Sequence, residues 1–287
     1  MKFIPIIETL DTLENHRENG IPDGIGTGWA HMDGYFTILR GQLNIVSGYP
    51  GHGKTEWVEN IAVNLAREEG WTILVYAPES HPASKHTRSL VEKWVGKQMM
   101  EDYNDVTMTA EELAAAMYDI DKKFRLISAD DEAYSFQDIL SMIERMKNEN
   151  KPLDMVVIDP WNEMESHRPP NISETDYIGT CLRDARRLAR KYDITIWIVC
   201  HPIKPAQKNK KGDYDPPTVY DLAGSAHWYN KADNAFIVHR YDKYGTRATV
   251  LVKKIKNRPY GKIGEVEFDF VPSNSRFIKP EKQDDQN

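Results

Sequence analysis

Gly48-Tyr49-Pro50-Gly51-His52-Gly53-Lys54-Thr55 fills every fixed position of the pattern G-x-x-x-x-G-K-[ST]. The run before it, Gln42-Leu43-Asn44-Ile45-Val46-Ser47, reads as a short buried strand. After it, Val58, Ile61, Ala62 and Leu65 recur at helical spacing. A glycine-rich loop between a strand and a helix is the setting in which this pattern binds phosphate. The glycines let the backbone curl so that successive N–H groups face phosphate oxygens. The helix N-terminus adds partial positive charge at the same point. Lys54 has the reach for the β- and γ-phosphates, and the Thr55 hydroxyl is a ligand type for Mg²⁺. The competing reading is a Gly-rich turn that binds nothing.

Working outward, residues 28–280 read as one domain in which apolar strands alternate with helices. Strands are expected over 43–47, 72–77, 124–128, 155–159 and 195–200. Helices are expected over 54–68, 83–96, 110–121, 136–148 and 174–191. This alternation predicts an α/β fold with a mainly parallel central sheet covered by helices on both faces. After Asp233 the pattern changes. Segments 234–240, 246–254 and 265–270 are β-rich with short turns and predict an antiparallel C-terminal extension. The polar stretch 275–287 is expected to fray, with 281–287 a disordered tail. Residues 1–27 read as a short amphipathic helix carrying Ile6, Ile7, Leu10 and Leu13, broken from His16 onward and followed by a turn-rich linker. Two readings of that arm fit equally: a helix packed on its own domain, or one that docks on a neighbouring subunit.

The net charge of −7 argues against a surface coated with nucleic acid. The charge is uneven, however. Between Cys200 and Lys262 there are about 13 Lys/Arg against about 5 Asp/Glu. A local basic channel therefore fits an acidic protein. Cys181 and Cys200 give neither a disulfide framework nor metal-ligand spacing, and a reducing cytoplasm is the natural compartment. There is no signal-peptide pattern at the start of the sequence, and no apolar run is long enough to cross a bilayer.

Three further strands end in groups that suit phosphate chemistry. Met155-Val156-Val157-Ile158-Asp159 has the form of a Walker B segment, whose carboxylate holds Mg²⁺ directly or through water. Val75-Tyr76-Ala77-Pro78-Glu79 puts Glu79 at a strand's carboxyl end, where ligands sit in parallel sheets, placed to orient or deprotonate an attacking water. Ile196-Trp197-Ile198-Val199-Cys200-His201 puts His201 where it can donate to a γ-phosphate and report its loss to the loop that follows. That loop, 203–217, carries Lys204, Lys208, Lys210 and Lys211 among Gly and Pro with no apolar period. It reads as an exposed segment suited to phosphate-backbone contact. The bland readings are an exposed loop Glu, a structural His and a solvated charge run. Late in the chain, Lys253-Lys254-Ile255-Lys256-Asn257-Arg258 ends a strand. Lys256 and Arg258 would be surplus cations at their own phosphate loop, but would stabilise developing charge on a neighbour's nucleotide.

The order of these motifs, with Asp221-Leu222-Ala223-Gly224-Ser225 between Val-Cys-His and Lys-Asn-Arg, resembles the RecA-like P-loop motor of DnaB-family ring helicases. It is most similar to the phage primase-helicase and Twinkle branch, in which His rather than Gln fills the sensor position. The resemblance covers residues 28–279. The phosphate loop is shared by many NTPases, whereas the Asp-Leu-x-Gly-Ser stretch and the late Lys-x-Arg are more specific. The resemblance implies an ATP- or dTTP-hydrolysing, Mg²⁺-dependent replicative helicase of the SF4 class. It would work as a hexameric ring on single-stranded DNA, beside a primase and polymerase, in the cytoplasm of a bacterial or phage-infected cell. It implies nucleotide contacts from Gly48, Tyr49, Pro50, Gly51, His52, Gly53, Lys54 and Thr55, and a metal site at Thr55 and Asp159. Glu79 would activate the water, His201 would sense the γ-phosphate, and Lys256 and Arg258 would be supplied to the adjacent subunit. By looser alignment, Arg240 and Phe268 would contact the base. Lys204, Lys208, Lys210 and Lys211 would grip the strand. There is no primase segment, zinc-binding Cys cluster or long N-terminal helical domain in the sequence. Primase activity is therefore expected elsewhere, or on a longer parent. A RecA/KaiC-like DNA-binding or regulatory ATPase that does not unwind is the competing function, and a nucleotide-binding loader is a third.

Overall fold

The computed structural model describes residues 3–101, 103, 105–128, 133–203, 214–222, 226–242, 245–256 and 261–281. In chain order the elements are α1 (Leu10–Asn19), α2 (Ala30–Asp33), β1 (Leu43–Ser47), α3 (Lys54–Glu68), β2 (Ile73–Tyr76), α4 (Ala83–Val95), α5 (Ala110–Lys123), β3 (Phe124–Ile127) and α6 (Phe136–Asn148). There follow β4 (Met155–Ile158), α7 (Glu174–Tyr192), β5 (Thr195–Cys200), α8 (His227–Lys231), β6 (Asn234–His239), β7 (Arg247–Lys254), β8 (Gly264–Val271) and β9 (Arg276–Ile278). Among the described residues, nine strands form one sheet in the order β3-β2-β4-β5-β1-β6-β7-β8-β9.

Every pairing from β3 across to β6 is parallel, and those from β6 out to β9 are antiparallel. The 234–240 segment therefore differs from its expectation. It joins the parallel half beside β1, with Ser47 opposite Ile237, and the antiparallel extension starts only at β7. The reason is burial: all six residues of β6 are buried, as in β1 and β5, and a strand covered on both faces belongs at the centre. The extension also runs one strand further than expected. Arg276–Ile278 is an edge strand, not part of a frayed tail: Phe277 alternates inward, and Trp29 Nε1–H donates to its carbonyl at 2.8 Å. Residues 282–287 lie outside the described residues.

Strand alternation sorts the core into two layers. Val46, Trp197, Val199 and Phe236 face α3, α4 and α5, whereas Ile45, Ile196, Ile198 and Ile237 face α6, α7 and α8. Local signals fix the helix starts. Thr109 and Ser135 each form reciprocal capping boxes, with Glu112 and Asp138. The first helix departs from its expectation too. It follows a 3-10 turn at Ile6–Thr9 and continues through His16 and Arg17 to Asn19, stopping at Gly20 with φ 82°. None of its residues is buried, and Ile6, Ile7, Leu10 and Leu13 are all exposed.

Candidate nucleotide site

The carboxyl ends of five neighbouring parallel strands converge on one edge of the sheet, where ligands bind in open α/β sheets. The phosphate loop follows β1, Glu79 follows β2, Asp159 follows β4, His201 follows β5 and Arg240 follows β6. The loop needs its glycines. At Gly48, φ is 149° and a Cβ would collide with the Val238 carbonyl oxygen on β6. At Gly53, φ is 92° and a Cβ would meet the Phe277 ring at 3.1 Å. Gly53 caps α3, whose first two residues are Lys54 and Thr55. The positive end of the α3 dipole thus lies at the phosphate loop.

That space is an open cleft of ≈ 370 Å³ bordered by Pro50, Gly51, Gly53, Lys54, Thr55, Glu56, Glu79, His201, Arg240, Phe270 and Phe277. Lys54 is buried and folds over the loop, its ammonium donating to the Tyr49 carbonyl at 3.1 Å. Burial pulls its pKa below the usual lysine value, against the nearby Asp159 carboxylate, which raises it. Asp159 lies beneath. Burial pushes its carboxyl up to about 7, although the Thr55 hydroxyl and Lys54 favour the charged form. Its Oδ2 is buried without a hydrogen-bond partner. An orphaned, costly carboxylate oxygen beside a Thr hydroxyl fits a cation ligand. Among the described residues, no group of three or more His, Cys, Asp or Glu could hold a metal.

Glu79 is exposed on the cleft wall. The His201 backbone N–H donates to Asn162 Oδ1 at 2.8 Å, which ties the end of β5 to the segment after β4. Burial, then Lys54, holds the His201 imidazole below its usual pKa. Arg240 lies over the Phe270 ring at 5.5 Å, and its N–H donates to His52 Nδ1 at 3.0 Å. Tyr49 does not line the cleft. Its ring lies tilted against Tyr214 (5.7 Å between ring centres), and its hydroxyl donates to the Asp215 carbonyl.

Phe268 is a correction. It is fully buried against Trp29, His31 and Phe277, opposite Ala248 in the β7–β8 pair. Its neighbour two residues on, Phe270, shares that face of β8 and reaches the cleft. Lys256 lies away from this edge altogether. β7 runs antiparallel to β6, so its end returns to the start of β6. There Lys256 Nζ pairs with Asp233 at 2.6 Å and its N–H donates to Asn234 Oδ1. Arg258 and the four loop lysines, Lys204, Lys208, Lys210 and Lys211, lie outside the described residues. The loop's described flanks are pinned together: Pro202 bridges Leu222, and Ile203 N–H donates to the Asp221 carbonyl at 2.7 Å. Glu56, Asn162, Phe270 and Phe277 escaped the sequence reading. For Phe277 a signal existed, because Arg276-Phe277-Ile278 alternates after the turn-forming Pro272-Ser273-Asn274.

Residues 24–279 match the family described as DnaB-like helicase C terminal domain. The chain is 31% identical over 258 residues to the Twinkle homolog protein, chloroplastic/mitochondrial, of Arabidopsis thaliana, an alignment of 87% of this chain and 35% of that protein. It is 23% identical over 297 residues to the replicative DNA helicase DnaB of Geobacillus stearothermophilus, covering 98% of this chain and 62% of that protein. The chain therefore spans about a third to three-fifths of these relatives. Among solved structures, a DnaB-like replicative helicase, described together with its interactions with primase, superposes with a TM-score of 0.78 at 20% identity, covering 97% of this chain and 69% of that one. No described helix is long and apolar enough to cross a membrane. With the family match running through the phosphate loop, all nine strands and both ends of the sheet, the chain belongs to the DnaB-like helicase C-terminal domain family.

Proposed function

We propose that this chain is the motor of a replicative DNA helicase, hydrolysing ATP or dTTP to move along single-stranded DNA and displace the complementary strand. The observation that carries the reading is the convergence of Lys54, Thr55, Asp159, Glu79 and His201 on one cleft, with Lys256 at the far edge of the same sheet. Lys54 and the loop N–H groups bind the β- and γ-phosphates and neutralise charge that grows as the γ-phosphoryl group transfers. Thr55 and Asp159 would hold Mg²⁺, which would supply charge neutralisation for the transferring phosphate. Glu79 takes the proton of the attacking water as its oxygen bonds to the γ-phosphorus and the bond to the leaving diphosphate breaks. Arg240 and Phe270 flank the base. His201, neutral at working pH, donates to the γ-phosphate and passes its loss to the loop that begins two residues later.

The loop lysines Lys204, Lys208, Lys210 and Lys211 contact strand phosphates, and the pinned loop base at Ile203 and Asp221 transmits the sensor's movement. Lys256 and Arg258 serve the neighbouring subunit's nucleotide in a ring, a hexamer by resemblance. The N-terminal arm, with its uncovered Ile6, Ile7, Leu10 and Leu13, docks on a neighbour. Residues 28–280 form the motor domain. Primase and polymerase partners, and a cytoplasmic site in a bacterial or phage-infected cell, follow from the same reading. The test is NTP hydrolysis with and without single-stranded DNA, on rings whose size is measured, beside Lys54→Ala. DNA-stimulated, Lys54-dependent turnover is expected. Turnover indifferent to DNA would overturn the reading.

A further inference from the structure

A second cluster of charge lies behind the cleft, between α3 and α4. Glu56 and Glu59 occupy successive turns of α3, just after Lys54 and Thr55. His86, Ser89 and Lys93 line the facing side of α4. Lys93 Nζ lies 2.9 Å from Glu59 Oε2 and also touches Glu56 Oε2, and His86 Nε2 stands 2.7 Å from Glu59 Oε1. Lys93, Glu59 and His86 are 1%, 5% and 6% exposed. Glu56 is different. It borders the nucleotide cleft and touches Lys93, so the buried set continues to the cleft floor.

Stability alone is a poor reason to keep such a set. Buried ion pairs rarely outperform well-packed apolar residues of the same volume, because desolvation consumes the Coulomb gain. What they do supply is directional attachment between two elements. The attached elements matter here. α3 begins with the phosphate-binding Lys54 and Thr55, whereas α4 begins four residues after Glu79. The strand β9 ties the same two helices together. Arg276 Nε donates to the Lys93 carbonyl at 2.7 Å, and Phe277 N–H donates to Asn60 Oδ1 at 3.2 Å. Burial raises Glu59's pKa, but Lys93 and His86 outweigh it and hold the carboxyl charged.

We propose that Glu56, Glu59, His86 and Lys93 form a positioning unit that sets Glu79 over the phosphate loop. The proposal rests on Glu79 being the group that activates water. Lys93 clasps both α3 carboxylates, and His86, one turn from the start of α4, fixes the end of the helix that Glu79 leads into. The unit acts through Glu79; Glu59, His86 and Lys93 do not border the cleft.

The test compares Glu59→Leu/Lys93→Met, which swaps a buried pair for apolar volume and leaves Glu56, deprived of Lys93, beside the open cleft, with His86→Leu, His86→Gln and Glu79→Gln. Each is assayed as assembled rings for melting temperature, affinity for a fluorescent nucleotide analogue, and kcat. The paired variant is expected to stay folded and to bind nucleotide within about twofold of wild type. Its kcat should fall ~10- to 100-fold, the cost of misplacing a reacting group by a fraction of an ångström to about one. His86→Gln keeps a donor toward Glu59 and should recover most of what His86→Leu loses. Adding Glu79→Gln to the paired variant should cost little more, because both changes act on one group. Normal kcat in the folded paired variant, or losses that multiply with those of Glu79→Gln, would overturn the positioning unit while leaving Glu79's role intact. If Glu79→Gln alone turns over normally, the water-activating role falls, and the positioning unit falls with it.

Discussion

Replacing Lys256 by Ala separates a shared active site from a self-contained one. Lys256 is bonded to Asp233 and Asn234 at the start of β6, whereas the phosphate loop packs against Val238 and Arg240 at its end. Six residues of strand at ~3.3 Å each separate the two by roughly 20 Å. At that distance two unit charges interact by ~0.8 kcal/mol at an effective dielectric of ~20. A Debye length of ~8 Å cuts this about tenfold. Lys256 therefore contributes less than ~0.1 kcal/mol to its own subunit's site, too little to detect in turnover. A cation delivered across a subunit boundary is worth ~10³-fold. The fold should tolerate the change, because Asp233 keeps the Leu43 N–H at 3.1 Å and Arg186 and Arg190 at 3.5 and 3.4 Å. Lys256→Ala, alone or with Arg258→Ala, should thus leave melting and nucleotide binding near wild type and lower ring turnover by ~10- to 1,000-fold. Mixing the double variant with Lys54→Ala subunits should restore activity, since about a quarter of random interfaces in an equal mixture carry both intact groups. Wild-type turnover by Lys256→Ala/Arg258→Ala rings, or no recovery in rings shown to be mixed, would refute the shared site.

Other outcomes follow from the same geometry. Lys54→Ala should abolish hydrolysis with the fold intact, and Glu79→Gln should bind nucleotide but turn over slowly; equilibrium binding and single-turnover hydrolysis separate the two. Replacing Lys208, Lys210 and Lys211 by Ala should weaken single-strand binding for all sequences and flatten its salt dependence by up to ~2 log units per log unit of salt. Basal hydrolysis should survive and DNA stimulation should disappear. An unchanged salt slope would reduce the loop to a solvated surface. Gly48→Ala should cost several kcal/mol in urea denaturation, on the order of 3 or more, because its Cβ meets the backbone of a central strand. Glu59 gives a pH test. Its folded pKa, about 2, lies below the ordinary 4.5, so the stability it contributes is present above 4.5 and is lost as pH falls toward 2. Glu59→Gln should make the fall in stability between those values shallower by one proton, as read from urea midpoints.

Much of this was legible in the sequence because parallel strands and phosphate chemistry leave local signatures. The loop after β1 needs glycine, and its flanks show the change from strand to helix period. Glu79, Asp159 and His201 could each be read as the polar end of an apolar strand, and the sheet brings those ends together. What escaped depends on pairing across the chain. Whether 234–240 lies beside β1 or begins an antiparallel ribbon depends on which strands cover it, since alternation reads alike in both. Phe268 and Phe270 have the same type and face, and only the end of β8 decides which meets the cleft. The Glu59–Lys93 pair spans two helices. Each residue alone reads as an ordinary charge in an amphipathic pattern, and only packing shows them buried.

Unwinding of a forked duplex, with the ring size measured on the same sample, tests the central claim most directly. Strand displacement should require hydrolysable NTP and be lost in Lys54→Ala. It should also be lost in the triple lysine variant, which still hydrolyses NTP without DNA. DNA-stimulated hydrolysis by intact rings with no displacement of either forked strand, at any NTP concentration, would contradict the helicase account and favour a RecA-like ATPase that binds DNA without unwinding it.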